Sequence, residues 1–441
     1  MSSSRPQDRT LPAAPMATGA PAARLSPFRA VLDNGVVVIG KETRKTPAVT
    51  INLAVRAGSA GDPPDAPGAG YLLSRVIDRG TARRSAADIA EALETRGISL
   101  SITINRHLLS IVCTCLADDF EAVVGILGEI LIEPSIPDAE LATRRGEVIT
   151  ALAQDDDSPY MKALEALMAY LYGSDHPYGR KSKGTVESIG ALTRERLLAL
   201  HRDRFVPGAV SAVVVGDVAP AKLLEISSRV FGGWRGPQPA VLPLAAPPVP
   251  AGRRRVVLPM MNKTQADIAY GFTTIRRNDP TYYACSLMNN ILGQYAMGGR
   301  LGDSIRERQG MAYYVSTAFD ASLIEGPLMV RAGVSPANVD RAIASIDEEL
   351  DRIRREGVTA RELGESRQYL IGSMPRALET NAGIAGFLQN VEFFGLGLDY
   401  DVRLSEFLST VTLDDVWQAA RRFLDPGRAT VVIAGPYREA S

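Results

Sequence analysis

IGALTRERLLALHRDRFVPGAVSAVVVGD at residues 189–217 and LSTVTLDDVWQAARRFLDPGRATVVIAGP at 408–436 are two copies of one pattern. Each reads as a threonine at a helix N-cap, acidic residues in the first turn, an amphipathic helix, a Pro-Gly turn and a β-branched strand ending in glycine. The register holds without a gap at an offset of 219 residues, so the chain is written twice.

Two further pairs extend the repeat. EPSIPDAELATRRGEVITAL (133–152) matches EGVTARELGESRQYLIGS (356–373), each a turn followed by a long helix, and VTINLAVRAGS (49–59) matches ADIAYGFTT (266–274), each an alternating strand leading toward a helix. The expected fold is α+β, with two homologous domains, each a mostly antiparallel sheet with helices packed on one face. RGPQPAVLPLAAPPVPAGRR, rich in proline and alanine, reads as an extended linker at 235–254 between a first domain at 28–234 and a second at 255–441. Residues 1–27, rich in Pro, Ala, Ser and Arg, read as a disordered tail.

A chain of 441 residues with 46% hydrophobic and 22% charged side chains is expected to form a globular protein of two or more domains. Its 49 basic and 50 acidic side chains nearly cancel, which leaves no global field to attract nucleic acid or an anionic membrane. The first residues carry no continuous apolar core of a secretory signal and no run is long enough to span a membrane, so the expected location is the cytoplasm. Of three cysteines, Cys113 and Cys115 share one face of an apolar strand and read as buried thiols.

GAGYLLSRVIDRGT (68–81) is a short amphipathic helix bracketed by glycines. Together with VLDNGVVVIGKE (31–42), the His176-Pro177-Tyr178-Gly179 loop, RFVPGAVSAVVVGDV (204–218) and LGQYAMGGRLGDSIRERQGMAYYV (292–315), it makes the chain resemble the pitrilysin/insulinase family of zinc peptidases, from about Phe28 to Pro436. That family includes the mitochondrial processing peptidases and the core subunits of the respiratory cytochrome bc complex. The resemblance implies that this helix should carry H-x-x-E-H, with two histidines as zinc ligands and a glutamate as the base that activates a zinc-bound water. Tyr71 and Arg75 stand at the histidine positions and Ser74 at the base. Arginine cannot bind a metal cation and serine cannot serve as a carboxylate base. The third ligand position falls near Thr150 to Leu152, where no carboxylate stands; Glu147, a turn earlier, reads as a solvated or salt-bridged residue. His107, His176 and His201 are far apart in sequence and read as structural, with His176 a candidate for the loop beside the old site. No metal is therefore expected in this chain.

The family pattern also implies an arginine and a tyrosine, seven residues apart in the second domain, that hold the substrate backbone and stabilise the carbonyl oxygen under attack. Here these are Arg306 and Tyr313, both present, preceded by Gly293, Gly298 and Gly299 in a loop suited to close approach of a bound chain. The resemblance thus implies a non-catalytic subunit of a heterodimeric zinc metallopeptidase, whose homologous partner carries H-x-x-E-H and the zinc. Peptide or a small unfolded polypeptide is the expected substrate of the shared chamber. The alternative is a structural or assembly subunit without a peptidase role, like the bc-complex core proteins. A self-sufficient enzyme built on Cys285, His176 or Asp155-Asp156-Asp157 is the third reading; the aspartates read more simply as a helix cap or solvated turn.

Overall fold

The computed structural model describes residues 25–295 and 299–439. Six strands form the first sheet: β1 (Phe28–Val31), β2 (Val37–Glu42), β3 (Ala48–Val55), β4 (Ser101–Ile104), β5 (Leu109–Leu116) and β6 (Val210–Gly216), in the order β1-β2-β6-β3-β5-β4. Five form the second: β7 (Arg254–Pro259), β8 (Ala266–Thr273), β9 (Ala312–Phe319), β10 (Pro327–Val334) and β11 (Thr430–Gly435), in the order β7-β11-β8-β10-β9. With β1 set aside the two orders are the same. Each sheet has one parallel pair, β2 with β6 and β7 with β11, and is otherwise antiparallel.

The duplicated motif occupies equivalent places. Thr193 and Thr412 cap the helices Arg194–Arg204 and Leu413–Phe423 by accepting from the amides of Arg196 and Asp415. Each helix then reaches its central strand, β6 or β11, through a short Pro-Gly turn. One face of each sheet packs on helices of its own half, which bury Leu72, Leu73, Phe120, Leu127 and Ile226 in the first core and Leu287, Ile346, Leu350 and Val416 in the second.

The opposite faces are covered reciprocally. The helix Pro159–Tyr172, from the first half, lies on β8 and β11 of the second sheet, where Leu167 and Leu171 meet Ala269, Val432 and Ala434. Its counterpart Asn381–Phe394, from the second half, lies on β3 and β6 of the first sheet, where Ile384, Ala385 and Leu388 meet Ile39, Val213 and Val215. The two helices have the same length, 14 residues, and begin at 159 and 381 behind the caps Ser158 and Thr380. This exchange explains why β3 and β8 depart from the alternation expected of a strand with one wet face: seven of the eight residues in each are buried. Gly271 on β8 admits the borrowed helix closely, since a Cβ there would stand 2.9 Å from Leu167 Cδ2.

Other contacts fasten the halves. Arg29 donates two 2.9 Å hydrogen bonds to the Glu392 carboxylate. Leu25, within the segment read as a tail, is buried, and its amide donates to Asp401 Oδ2 at 2.7 Å; residues 1–24 lie outside the described part. The proline-rich segment crosses the first domain without regular structure, Pro239 against Gly208 and the Ala245 carbonyl 3.1 Å from His176 Nε2, before β7 begins at Arg254. No helix among the described residues is long and apolar enough to cross a membrane.

Leu167 and Leu388 are fully buried between one half's helix and the other half's sheet. Leu167→Ala or Leu388→Ala should each cost roughly 2–5 kcal/mol of unfolding free energy in urea titrations. Because each helix ties one half to the other, intrinsic fluorescence and far-UV circular dichroism should report one shared transition. Two well-separated transitions in the wild-type chain would contradict that coupling.

Candidate functional site

The helix Ala69–Val76 starts at Gly68, whose φ of +86° is a left-handed conformation that an L side chain rarely adopts. Gly68 also passes so near Lys183 that an added Cβ would lie 2.5 Å from its carbonyl oxygen. With no side chain available to cap at Gly68, the buried Asp62 carboxylate does the work, accepting from the amides of Gly68 at 2.8 Å and Gly70 at 2.9 Å. A carboxylate at a helix N-terminus also meets the positive end of the helix dipole. Leu72, Leu73 and Val76 anchor the helix in the first core.

Tyr71 is partly buried against that core, with the Lys183 ammonium 6.0 Å from its ring centroid; Lys183 itself is paired with Asp155 at 2.6 Å. Ser74 is buried and its hydroxyl folds back to donate to the Tyr71 carbonyl at 2.7 Å. Arg75 points to the exposed side, among Asp78, Arg79, Arg144 and Glu147. Arg144 bonds Glu147 at 2.6 Å and holds its carboxyl below the usual range, with the Arg75 charge adding to the effect. Asp78, by contrast, is raised by burial. On the helix Asp138–Asp156, Thr150 donates to the Gly146 carbonyl and Leu152 is core. A phenol, a hydroxyl spent on its own helix and a cation do not fit a zinc ion. Among the described residues no group of three or more His, Cys, Asp or Glu side chains is placed to hold a metal.

Arg306 lies in the π-helical turn Gly302–Arg308, its side chain 40% exposed, and among the described residues its one ion pair is with the adjacent Glu307 carboxylate at 3.6 Å. Tyr313 is 66% exposed on β9, an edge strand of the second sheet. The next residue, Tyr314, faces the other way and donates to Asp267 Oδ1 at 2.6 Å. Tyr313 thus stands at a sheet edge, and Arg306 in the turn that precedes that strand. The turn that carries Arg306 packs on β9 and the helix Val339–Glu356, whereas the helix Ala69–Val76 packs on Asp138–Asp156, Arg194–Arg204 and β4. Within one chain, the two candidate half-sites are built into separate sets of elements.

The glycines before Arg306 have structural reasons of their own. Gly293 sits against β9, where a Cβ would meet Thr317 Cγ2 at 2.4 Å, and Gly299, at φ +58°, would meet the Ile291 carbonyl at 2.3 Å. Gly298 lies outside the described residues. His201 is buried with Nε2 2.9 Å from the Leu131 carbonyl, and His176 stacks on Tyr172 at 5.4 Å between ring centroids. His107 sits between the halves, with Nε2 2.6 Å from the Tyr178 hydroxyl and 2.9 Å from Ser322 Oγ. Burial pushes the thiols of Cys113 and Cys285 up to about 12 and that of Cys115 up to about 11. Asp155, Asp156 and Asp157 are paired with Lys183, Lys162 and Lys263, each at 2.6 Å.

The family model described as Insulinase (Peptidase family M16) matches residues 37–182, and that described as Peptidase M16 inactive domain matches residues 191–370. Among curated proteins, the chain is 27% identical over 423 residues to an uncharacterized zinc protease of Mycobacterium tuberculosis, covering 95% of each. It is 23% identical over 407 residues to the uncharacterized zinc protease YmxG of Bacillus subtilis, covering 92% of this chain and 98% of the relative. A solved structure described as a peptidase M16 inactive domain from Pseudomonas fluorescens matches with a TM-score of 0.86 at 26% identity, over 95% of this chain and all of the other. A protease from Helicobacter pylori shares the fold with a TM-score of 0.86 at 16% identity, over 94% of this chain and all of the other.

Burial raises the Asp62 carboxyl to about 6, against about 3.9 in an unfolded chain. The folded state therefore favours the protonated acid, and this contribution to stability is present below about pH 4 and lost as pH rises through 6. Wild-type stability minus that of Asp62→Asn should increase as pH is lowered from 7 to about 4.5, read from urea midpoints. A difference that does not change with pH would contradict this assignment.

Proposed function

The chain belongs to the insulinase family of peptidases, M16, and we propose that it serves there as the zinc-free subunit of a two-chain peptidase. The observation that carries the proposal is the asymmetry between its halves. In the first half Arg75 cannot bind zinc, Ser74 cannot serve as the base and the tyrosine at position 71 is a rare zinc ligand, while in the second half Arg306, its side chain 40% exposed, and Tyr313, 66% exposed, remain present. A homologous partner with H-x-x-E-H would supply the zinc and the base.

In that arrangement Arg306 offers an always-charged guanidinium, and Tyr313 a phenolic O–H donor, to the carbonyl oxygen of a peptide as negative charge develops on it. Neither side chain needs a metal of its own for this role. The exposed edges β9 and β4 suit capture of an extended peptide by strand addition, which binds backbone with limited dependence on side chains. Gly293 and Gly299 are close-packed against Thr317 and the Ile291 carbonyl, so in this reading they shape the approach to Arg306 and leave the peptide contact to the side chains.

The test is reconstitution with a homologous chain that carries the motif. The purified protein alone should hold no stoichiometric zinc and cleave no peptide, and the mixture should do both. In the mixture, Arg306→Ala and Tyr313→Phe should each lower kcat by about 10²-fold or more with the assembly intact by size-exclusion chromatography. Stoichiometric zinc and turnover from this chain alone would overturn the proposal. Unchanged cleavage by the double variant would instead make the protein a structural subunit.

A further inference from the structure

A polar cavity of about 350 Å³ lies at the junction of the halves, lined neither by Arg306 nor by any residue of the helix Ala69–Val76. The hairpin tip between β4 and β5 forms one side, the segment that follows β9 a second, and the borrowed helix Asn381–Phe394 the third. Its walls include Asn52, Arg106, His107, Asp320, Gln389 and Phe393.

Three features of this wall are unspent. Arg106 and Asp320 approach to 3.8 Å and make no other ion pair among the described residues, so a cation and an anion stand side by side with capacity to spare. Asn52 and Gln389 are 7% and 4% exposed, and their side-chain oxygens, Oδ1 and Oε1, have no hydrogen-bond partner among those residues. Gln389 Nε2 donates to Ser211 Oγ, which ties the borrowed helix to β6 beside the cavity. Both oxygens are closed to solvent, so they add polarity behind the wall and do not contact a ligand directly. Finally, Phe393 gives an apolar face, held 5.6 Å from a His107 ring that Tyr178 and Ser322 keep in place.

We propose that this cavity binds a free α-amino acid as its zwitterion. Its carboxylate meets Arg106, its ammonium meets Asp320, and its side chain lies along Phe393. A simple anion would face Asp320, and a simple cation would face Arg106. A dipeptide is also a zwitterion, but it sets its charges farther apart by a residue, roughly 3.3–3.6 Å. The 3.8 Å between Arg106 and Asp320 suits charges on one α-carbon. The volume, near the lower end of the roughly 300–1,000 Å³ seen for ligand pockets, suits a molecule of that size.

The proposal is tested by titration calorimetry of the full chain with the set of proteinogenic amino acids, followed by the best ligand blocked as its N-acetyl and amide derivatives and extended as a dipeptide. Saturable one-to-one binding of at least one free amino acid is expected, weakened by about tenfold or more when either end is blocked and weaker for the dipeptide. Asp320→Asn should weaken it comparably, and because that side chain is 55% exposed the fold should tolerate the change, checked by thermal melting. Arg106→Gln is the second variant. Absence of saturable binding by every free amino acid, equal binding of the blocked forms, tighter binding of the dipeptide, or unchanged affinity in Asp320→Asn would each overturn it.

Discussion

The structure depends on a reciprocal debt between two sheets. Each sheet has two apolar faces, and the helices of its own half cover only one. The other is closed by a single helix lent from across the molecule, Pro159–Tyr172 in one direction and Asn381–Phe394 in the other. An uncovered face would leave Val213 and Val215, or Val432 and Ala434, in water, so neither half reaches its packed state without the other. The relative position of the halves follows from this exchange, and with it the placement of the junction cavity and of the edge strands β4 and β9.

Much of the architecture is legible in the sequence because the sequence repeats it. The capped helix, Pro-Gly turn and β-branched strand at 189–217 and 408–436 appear as equivalent central pieces of two sheets with the same strand order. What the pattern does not disclose is which sheet an amphipathic helix will choose. Leu167 and Leu388 sit in apolar stripes that carry no mark of which sheet they will meet, and the three-dimensional arrangement places each on the other half's sheet. The burial of β3 and β8 on both faces, instead of the alternation expected, is the trace of that choice.

The candidate site divides in the same way. Tyr71, Ser74 and Arg75 are informative as residue types, because what they cannot bind follows from their chemistry alone. Asp62 leaves no comparable signal, since its partners are the backbone amides of Gly68 and Gly70, and backbone groups are the same in every sequence. Gly293 and Gly299 show a further limit: a glycine announces that something comes close without saying whether it is a bound peptide or the protein's own Thr317 and Ile291. The cavity wall brings Asn52, Asp320 and Gln389 together from distant parts of the chain, so no local motif could announce it.

The exchanged helices also set an order of events during synthesis. When the first half has left the ribosome, its strands β1 to β6 can pair and its own helices can dock, but the helix that closes its second face has not yet been made. Until residues 381–394 emerge, Val213 and Val215 stay uncovered, and the helix Pro159–Tyr172 waits with its apolar side free for a sheet that does not exist. The nascent chain is therefore sticky for most of its translation, and its last large pieces complete both halves together.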